Sequence, residues 1–323
     1  MHEIGVANSV LEAVHQELHR YPGRRAAKVG LRIGNHAGID RESLQFCFEA
    51  LVKGTSFEPL ELEIEWGSVQ DGRRGDEVQL AYLELVEDQG GGMNRVMVEK
   101  QVLSENDQIA ARLRAAFAKG GVLALNFISS PGAGKTALLE RTLKRLPAHT
   151  RAAIVTGDIQ TENDAIRLRH YGYPVRQITT AGACHLDARM VESHLEEWLE
   201  QGLELLLIEN VGNLVCPTSY DLGEDAKIVV LSVAEGEDKP LKYPGIFRKA
   251  ELMILNKIDL LPHVPFKPEL LYENAREINP AIEILETSCT TGAGLDRWLV
   301  WLAARAERKK TRTKVVPKKV LYR

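Results

Sequence analysis

The chain has 323 residues, of which 44% are hydrophobic and 27% are charged, and its formal net charge is -4. This length fits two domains, and the composition is typical of a soluble globular protein. The charge gives no broad reason to expect nucleic-acid binding, and no apolar run approaches the ~18 residues that span a bilayer. Because the first residues also lack the pattern of a signal peptide, we expect a cytoplasmic protein that binds neither nucleic acid nor membrane.

The cysteine content is low, and it excludes two common kinds of site. The four cysteines are too few and too scattered for a disulfide framework, which a cytoplasmic location disfavours in any case. No CxxC pair occurs, so a zinc ribbon or knuckle is excluded. These cysteines are Cys47, Cys184, Cys216 and Cys289.

The first block, residues 1–88, has the pattern of a small α+β domain. Apolar residues at helical spacing predict an amphipathic helix over Glu3–Arg20. A second helix is predicted in "DRESLQFCFEALVKG", with Asp40 as its cap and Gly54 just past its end. Alternating apolar residues predict strands in "AKVGLRIG", "LELEIEW" and "VQLAYLELV".

The segment "EDQGGGMN" separates this block from the rest of the chain. Three consecutive glycines predict a linker over residues 89–97, and the internal Met93 suggests a fused gene. The second domain is then expected over residues 98–307. The basic stretch 308–323 is interpreted as a disordered solubilising tail in preference to a contact with an acidic partner.

The second block is predicted to be an α/β domain with a parallel sheet. It opens with a predicted helix over Glu105–Lys119 and continues with the apolar run "GVLALNFI". Further apolar runs follow in "AAIVTGD", "LELLLIEN", "AKIVVLSV" and "ELMILNK", with helical patterns between them. Continuous apolar strands that alternate with helices indicate a sheet covered on both faces.

The segment "SSPGAGKT", residues 129–136, has the features of a phosphate-binding loop between a strand and a helix. Backbone N–H groups at Gly132, Ala133 and Gly134 would cradle phosphate oxygens. Lys135 is expected to reach the β- and γ-phosphates, and Thr136 to place its hydroxyl on Mg²⁺. Ser129 stands where the consensus has its first glycine. A chance glycine turn would not explain why strand, lysine, threonine and helix are in register.

The segment "NKID" at the end of a later strand predicts guanine as the base. Asp259 can accept two hydrogen bonds from guanine N–H groups, whereas adenine offers no matching pair of donors. Asn256 and Lys257 belong to the same motif. The loop "TSCTTGAG" brings Ser288 and Cys289 to the place where such proteins close over the base, although an ordinary polar loop explains this segment equally well.

Two carboxylates at predicted strand ends are candidates for the Mg²⁺ and water positions. Asp158 ends a strand in "AAIVTGD" and would hold Mg²⁺ through water. Glu209 ends "LELLLIE" and begins "ENVG", where most G proteins have Asp-x-x-Gly, and it would orient Mg²⁺ or the attacking water. The alternative for Glu209 is a purely structural carboxylate. The predicted catalytic group is therefore Lys135, Asp158 and Glu209.

A thiolate and imidazole set distinguishes this chain from ordinary G proteins. "ACHLDA" places Cys184 beside His185, and "NLVCP" places Cys216 soon after Gly212. These ligand types suit Ni²⁺, Zn²⁺ or Cu. Either cysteine alone would more often be a small buried apolar residue. Because Cys216 lies on the segment expected to respond to the γ-phosphate, a metal there would be coupled to nucleotide state.

From about residue 98 to residue 305 the chain resembles HypB, the family of hydrogenase nickel-incorporation GTPases. The resemblance rests on "SSPGAGKT", "GDIQTENDA", "ACHLDA", "IENVGNLVCP", "SVAEGEDKPLKYP" and "NKIDLL", in this order. It implies slow GTP hydrolysis to GDP, a nucleotide-dependent homodimer, and nickel or zinc held between protomers by Cys184, His185 and Cys216. The implied partners are the [NiFe]-hydrogenase large-subunit precursor and other maturation factors.

Residues 1–88 resemble HypA, the nickel chaperone family that acts with HypB. The matching segments are "MHEIGVANSVLEAV" and "SLQFCFEALVKGT". The resemblance implies a nickel site at the amine of Met1 and at His2, with Glu3 as a neighbour. A terminal amine, a backbone nitrogen and an imidazole favour square-planar Ni²⁺. The family's zinc ribbon is absent, because the cysteine-free "GSVQDGRRGDE" stands in its place.

Together these features predict a GTP-dependent nickel-delivery factor that serves [NiFe]-hydrogenase. The alternatives are a metallochaperone for another nickel enzyme such as urease, or a nickel-buffering scaffold without useful turnover. Three further expectations concern single positions. Cys47 should lie in the core, His15 and His19 have a spacing that suits metal but more simply form a solvated helix face, and Lys239 and Tyr243 are candidates for the dimer or nucleotide site.

Overall fold

The protein is described here by a computed structural model, in which the chain divides into two compact units, Met1–Gln108 and Ile109–Arg323. The residues that the structure describes are 2–34, 37, 39–67, 78–87, 93–102, 105–158, 162–180 and 184–315.

The first unit packs two helices on a sheet of four strands in the order β2-β1-β3-β4. Its elements are α1 (His2–Leu18), β1 (Arg24–Gly34), α2 (Arg41–Val52), β2 (Glu61–Gly67), β3 (Val78–Glu87) and β4 (Asn94–Gln101). β1 is parallel to β2 and antiparallel to β3, and β3 is antiparallel to β4. The core lies between the helices and the sheet and includes Val10, Val14, Leu31 and Phe48. The predicted α+β domain is confirmed.

The start and end of α2 follow from local chemistry. The side chain of Asp40 accepts a hydrogen bond from the backbone N–H of Ser43 at 2.8 Å, as predicted for a cap. Two residues past the helix end, Gly54 has a φ of 74°, a conformation that favours glycine. The predicted boundaries of this helix are therefore confirmed by specific contacts.

The boundary between the two units differs from the sequence-based division. Residues 94–101, where the sequence predicts the linker and the start of the second domain, form β4 and pair with β3, for example Met97 with Tyr82. The alternation in "NRVMVEKQ" is the signal for this strand, but the neighbouring glycines obscure it. The first unit accordingly extends to Gln108. Residues 89–92 of the predicted linker, the preceding residue 88, and residues 68–77 of the cysteine-free loop lie outside the described residues.

The second unit contains a seven-stranded parallel sheet with strand order β11-β10-β9-β5-β8-β6-β7. Its strands are β5 (Leu123–Ser129), β6 (Ala152–Asp158), β7 (Val175–Thr179), β8 (Leu205–Glu209), β9 (Ala226–Ser232), β10 (Leu252–Asn256) and β11 (Glu283–Glu286). The five strands predicted from apolar runs are present. β7 was not predicted, because "VRQIT" is short and half polar.

Helices cover both faces of this sheet. They are α3 (Glu105–Gly120), α4 (Lys135–Leu143), α5 (Asn163–Arg169), α6 (Ala188–Glu192), α7 (Glu196–Glu200), α8 (Cys216–Ser219), α9 (Lys239–Lys242), α10 (Pro244–Lys249), α11 (Pro268–Ile278) and α12 (Leu295–Val315), with a 3-10 turn at Ile258–His263. Alternate residues of β5 enter different cores: Phe127 packs with Trp298, and Ala124 packs with Phe117. The predicted two-sided α/β domain is confirmed.

The basic tail is partly ordered, contrary to the expectation of a disordered segment from residue 308. α12 continues to Val315, and its end is held by Lys309 on Asp225 at 2.5 Å and Lys310 on Glu204 at 3.0 Å. The correction has an electrostatic reason, because acidic residues at the start of neighbouring strands pair with the basic side chains. In the part of the chain that the structure describes, no helix combines the length and apolar character needed to cross a membrane.

Candidate nucleotide and metal site

The candidate site lies at one edge of the parallel sheet, where four strands end. Ser129 ends β5, Asp158 ends β6, Glu209 ends β8 and Asn256 ends β10. Because parallel strands present their carboxyl ends at the same edge, the fold brings these four residues to one side. The central position of β5 places the phosphate loop in the middle of this edge.

The phosphate loop depends on glycines at two positions. Gly132 has a φ of 77° and Gly134 a φ of 104°. A side chain at Gly134 would also place its Cβ 2.3 Å from the amide nitrogen of Asn256. The loop leads directly into α4, which begins at Lys135, so the N–H groups of the first helical turn face the loop. This arrangement suits an anion such as phosphate.

Ser129, which departs from the usual glycine, holds the loop lysine in place. The ammonium of Lys135 donates a hydrogen bond to the Ser129 hydroxyl at 2.8 Å, and that hydroxyl donates to the carbonyl of Ser130 at 2.6 Å. Burial lowers the pKa of Lys135, while the charges of Glu209 and Asp158 act in the opposite direction. The ammonium of Lys135 is therefore held in a desolvated position. There it could form a strong charge-assisted hydrogen bond with the oxygens of a polyphosphate.

Thr136 and Glu209 form a buried pair beside this lysine. The Thr136 hydroxyl donates to Oε1 of Glu209 at 2.7 Å, while Oε2 is buried and has no hydrogen-bond partner among the described residues. Burial raises the pKa of Glu209 to about 7, against the lowering effects of Lys135 and Thr136. Together with the half-buried Asp158, these oxygens fit Mg²⁺, a hard cation that prefers oxygen ligands. An ion there would satisfy the buried carboxylate oxygen.

The raised pKa of Glu209 has a consequence for stability without nucleotide or metal. In the unfolded chain this carboxyl loses its proton near pH 4.5, whereas the folded protein keeps it up to about pH 7. The folded state thus binds more protons between these values, so the stability contribution of Glu209 falls as the pH rises through that window. We expect Glu209→Gln to stabilise the apoprotein by on the order of 3 kcal/mol above pH 7 and by almost nothing near pH 4.5.

This expectation is checked by urea unfolding of the full chain across that pH range. Glu273→Gln, at an exposed position on α11, is the matched control and should give a stability difference that does not depend on pH. If the difference in unfolding free energy between Glu209→Gln and the wild type stays constant from acid to neutral pH, the carboxylate is ionised throughout.

The predicted base-binding residues are brought together by the turn after β10 and the loop after β11. The Ser288 hydroxyl donates to Oδ1 of Asp259 at 2.5 Å. Burial raises the pKa of the neighbouring Cys289 to about 11, so this thiol is neutral at physiological pH. The loop after β11 passes close to the end of that strand at Gly294. A Cβ added there would lie 1.8 Å from the carbonyl oxygen of Glu286.

Asn256 and Lys257 connect this base pocket to the phosphate loop. The amide of Asn256 donates to the carbonyl of Ala133 at 3.0 Å and accepts from the Thr287 hydroxyl at 3.2 Å. Lys257, in a left-handed conformation with a φ of 63°, donates to the carbonyl of Gly132 at 2.7 Å. These contacts hold the two loops in register, which the motif alone did not reveal.

The candidate metal ligands Cys184, His185 and Cys216 form one cluster. Their ligand atoms all lie within 4.8 Å of one another, and the two sulfur atoms are 2.8 Å apart. Burial, followed by the contact with Cys184, raises the pKa of Cys216. Metal uptake must therefore release protons, because thiolates are the ligands. The sulfurs would also have to part slightly, since each metal–sulfur bond is about 2.3 Å long.

The segment around Cys184 and the segment before Cys216 are held in place by hydrogen bonds and ring stacking. The Asn213 amide donates to the carbonyl of Cys184 at 3.3 Å, and its oxygen accepts from the N–H of Val215 at 2.9 Å. The ring of His185 stacks on Tyr220 with centroids 3.8 Å apart. Residues 181–183, just before the cluster, lie outside the described residues.

Comparison with known proteins places both units. A family model described as "CobW/HypB/UreG, nucleotide-binding domain" matches residues 124–286. The hydrogenase maturation factor HypB of Rhizobium leguminosarum bv. viciae is 51% identical over 220 residues, which are 68% of this chain and 74% of that protein. The chain belongs to the HypB family. A second model, described as "Hydrogenase/urease nickel incorporation, metallochaperone, hypA", matches residues 1–71, so a HypA-type unit precedes the HypB unit.

Two further relatives of the HypB unit come from Helicobacter pylori. The protein named hydrogenase/urease maturation factor HypB is 42% identical over 193 residues, which are 58% of this chain and 79% of that protein. A crystal structure of HypB in complex with nickel has a TM-score of 0.60 and 40% identity, and it covers 64% of this chain and 96% of that one. The fold of the HypB unit is thereby established independently of the sequence pattern.

The predicted ligands of the HypA-type unit are only partly described. Met1 and the side chain of His2 lie outside the described residues, and Glu3 accepts a hydrogen bond from the N–H of Asp40 at 3.4 Å. His15 and His19 are exposed at the end of α1, with ring centroids 4.6 Å apart. Cys47 is half-buried and packs against the core from its edge, so the expectation that it lies within the core is met only in part.

In the HypB unit, Lys239 contacts the phosphate loop. Its ammonium lies 3.3 Å from the Ser130 hydroxyl and 3.1 Å from the carboxylate of Glu235. The ring of Tyr243 lies below the same ammonium, with 5.3 Å to the centroid. These distances place Lys239 and Tyr243 beside the phosphate loop, and their assignment to the dimer or nucleotide site stays a prediction.

Sequence reasoning missed several buried polar residues next to the site. Asn126, Asn210 and Glu224 are almost fully buried in the HypB unit, and Asn126 is hydrogen-bonded to each of the other two. The signal that could have identified the first of them is an amide inside the apolar run "LALNFI". A buried amide in a strand requires partners, because an unsatisfied one is costly.

Proposed function

We propose that this protein is a GTP-dependent nickel-delivery factor that hydrolyses GTP slowly and inserts Ni²⁺ into the large subunit of [NiFe]-hydrogenase during maturation. Nickel is the cargo, held temporarily by Cys184, His185 and Cys216 and then released. Zn²⁺ fits the same ligand types and would compete for them. Membership in the HypB family and the HypA match at residues 1–71 support this assignment.

The observation that carries the proposal is the position of the three-ligand cluster. Cys216 lies seven positions after Glu209, the carboxylate that contacts Thr136 of the phosphate site. The segment that carries Cys184 and His185 also packs closely against the end of β6. A Cβ added at Gly157 would lie 2.7 Å from the side chain of Leu186. Asp158 directly follows Gly157. These contacts between close neighbours support the proposal that movement at the nucleotide site reaches Cys184, His185 and Cys216.

The residues around the phosphate loop support the proposed GTP hydrolysis. Lys135 would bind the β- and γ-phosphate oxygens. Thr136, Asp158 and Glu209 would hold Mg²⁺, which would supply positive charge to the phosphates. Glu209 would also orient the attacking water. Asp259, Ser288 and Cys289 select and enclose guanine, while Asn256 and Lys257 hold the phosphate loop against that pocket.

A nucleotide-dependent homodimer completes the proposal. Three ligands from one protomer leave a coordination position for a group from another. Val215, immediately before Cys216, is 57% exposed, which supports contact of this segment with another surface. The HypA-type unit would receive Ni²⁺ at Met1 and His2, next to Glu3. Its fusion to the GTPase makes the transfer intramolecular, with an effective concentration of about a millimolar for a short linker.

Nickel titration in two nucleotide states tests this function. The full untagged chain is titrated with Ni²⁺ in GDP and in a non-hydrolysable GTP analogue, and dimerisation is followed in the same samples. We expect the affinity of the Cys184 site to differ between the two states by a factor of about 5 to 150. The difference should vanish in Cys184→Ala, which removes one ligand.

Cys47→Ala is the matched control, since this cysteine packs against the core of the other unit. It should keep the nucleotide-dependent difference. If nickel binds with equal affinity in both states and only the HypA-type unit holds it, the GTPase is not a metal gate and the proposal fails.

A different client is the second candidate. The matching family model names hydrogenase and urease together, and so does the Helicobacter pylori relative. Deleting the gene and assaying each nickel enzyme distinguishes the two. If the deletion abolishes hydrogenase activity and added nickel restores it, hydrogenase is the client. If only urease activity is lost, urease is the client.

A further inference from the structure

A closed set of contacts surrounds the metal ligand His185 in the HypB unit. A series of side chains linked by hydrogen bonds begins at the backbone of the residue after His185. The same series ends at the residue on which the His185 ring stacks. We call this set the polar ring; its members are Asn126, Leu186, Asn210, Tyr220, Glu224 and Lys227.

The first half of the polar ring joins the metal segment to the end of β8. The oxygen of the Asn210 amide accepts hydrogen bonds from the N–H of Leu186 at 3.1 Å and from its neighbour Val211 at 3.0 Å. Asn210 is 1% exposed and directly follows Glu209, the buried carboxylate of the nucleotide site. The position of the backbone next to His185 is thus defined by the residue next to Glu209.

The second half runs through the interior to the far side of His185. Asn210 donates to the oxygen of Asn126 at 3.2 Å, and Asn126 donates to Oε1 of Glu224 at 3.2 Å. The same oxygen lies 2.5 Å from the ammonium of Lys227, which donates to the backbone carbonyl of Tyr220 at 2.8 Å. Asn126, Asn210 and Glu224 are buried, and Lys227 and Tyr220 are half-buried. The buried groups are costly to leave without their partners.

Tyr220 closes the ring on the imidazole itself. Its side chain and that of His185 are nearly parallel, with 21° between the planes and 3.8 Å between the centroids. A stacked neighbour limits rotation of the imidazole and so aims its ligand nitrogen. Partners of this kind around a metal ligand commonly set metal affinity although they never touch the ion.

We propose that the polar ring positions His185 as a metal ligand and transmits displacement of the β8 end, at Glu209, to that ligand. Asn126 and Tyr220 are positioning residues in this arrangement. The inference rests on the proposed function for the identity of the ion, Ni²⁺. It adds a specific route by which the nucleotide site and the metal ligand influence each other.

Matched substitutions test the ring in the full chain. Asn126→Ala breaks it at its midpoint without touching the metal ligands or the phosphate loop. Tyr220→Ala removes the stacked ring, whereas Tyr220→Phe keeps it. Asn279→Ala removes an amide of a comparable structural kind, one that donates to the carbonyls of Phe247 and Ala250 instead. Thermal unfolding of each variant identifies any that do not fold.

The readouts are Ni²⁺ affinity and the thiolate-to-nickel charge-transfer spectrum, measured in GDP and in the GTP analogue. We expect Asn126→Ala and Tyr220→Ala to weaken binding at the cluster by about 10- to 100-fold and to alter the spectrum. Tyr220→Phe and Asn279→Ala should bind and absorb as the wild type does. In Asn126→Ala the ratio of affinities between the two nucleotide states should also fall toward one.

The inference and the proposed function can fail separately. If folded Asn126→Ala binds Ni²⁺ with wild-type affinity, spectrum and nucleotide dependence, the role of the polar ring is overturned even where the wild type is gated. If the wild type has equal affinity in both nucleotide states, the gate fails. In that case weaker binding by Tyr220→Ala, but not by Tyr220→Phe, still supports positioning by the ring.

Discussion

Replacing Lys135 with alanine is expected to lower the rate of GTP hydrolysis by at least about 100-fold, the usual effect of removing a group that stabilises developing charge. Lys135 is 8% exposed, and its ammonium is held by the hydroxyl of Ser129 at the end of β5. Its charge is therefore already desolvated when the phosphates arrive, and little reorganisation accompanies the reaction. Single-turnover release of phosphate from GTP and Mg²⁺ measures the loss.

Lys144→Ala is the control for this substitution. Lys144 is the exposed residue that follows α4, so the variant loses the same side chain from the same helix region without approaching the phosphate loop. It should hydrolyse GTP at the wild-type rate. Retention of more than a tenth of the wild-type rate by folded Lys135→Ala would contradict the assignment of residues 129–136 as the phosphate site.

The Lys135 variant also distinguishes the delivery factor from the nickel-buffering scaffold. Its cysteines and His185 are unchanged, so it should still hold Ni²⁺ at the three-ligand cluster. If hydrolysis drives release, hydrogenase maturation fails although nickel is bound. Full maturation of the client with Lys135→Ala, in a strain without the wild-type gene, would instead favour the buffering role.

The elements that could be predicted from the sequence are those specified by nearby residues. The phosphate loop needs a strand, glycines at left-handed positions and a helix that starts at Lys135. These features follow one another directly along the chain. The cap at Asp40 is equally local. Such patterns are visible because the residues that cooperate are close together along the chain.

The polar ring could not be predicted in this way. Asn126 and Asn210 are 84 residues apart, and Asn126 and Glu224 are 98 apart. Their pairing depends on the order of strands, in which β5 lies between β9 and β8. A buried amide in "LALNFI" signals that partners exist, but only the assembled sheet identifies them.

The metal cluster is an intermediate case. The types of its residues, and the place of Cys216 after Gly212, pointed to a metal site. The sequence did not show that the sulfurs of Cys184 and Cys216 would meet at 2.8 Å. β4 shows the opposite failure. Its alternating pattern is local, yet the adjacent glycines in residues 90–92 suggested a linker in place of an edge strand.

Changing Asp259 to asparagine is expected to shift the nucleotide preference from GTP to XTP, by about 10⁴-fold in the ratio of affinities. Each carboxylate oxygen can accept from one N–H of guanine, the ring N1–H and the 2-amino group. Asparagine replaces one acceptor with an NH₂ donor, which opposes the 2-amino group. Xanthine has a carbonyl at that position and accepts the new donor.

Several contacts favour a folded variant with an altered base pocket. The asparagine keeps an oxygen that can accept from the Ser288 hydroxyl, as Asp259 does. Asn256 and Lys257 continue to hold the phosphate loop through Ala133 and Gly132. We therefore expect XTP to restore hydrolysis in Asp259→Asn to near the wild-type rate with GTP, because the phosphate chemistry is unchanged.

Competition between GTP and XTP in a phosphate-release assay measures the switch. Asp296→Asn is the matched control: its side chain is 94% exposed at the start of α12 and pairs with Arg145, so its nucleotide preference should not change. An Asp259 variant that still prefers GTP would mean that the loop around Ser288 and Cys289, and not the carboxylate, selects guanine. A variant that loses both nucleotides would place Asp259 among the residues that shape the pocket, and the base preference would then have to be sought in that loop.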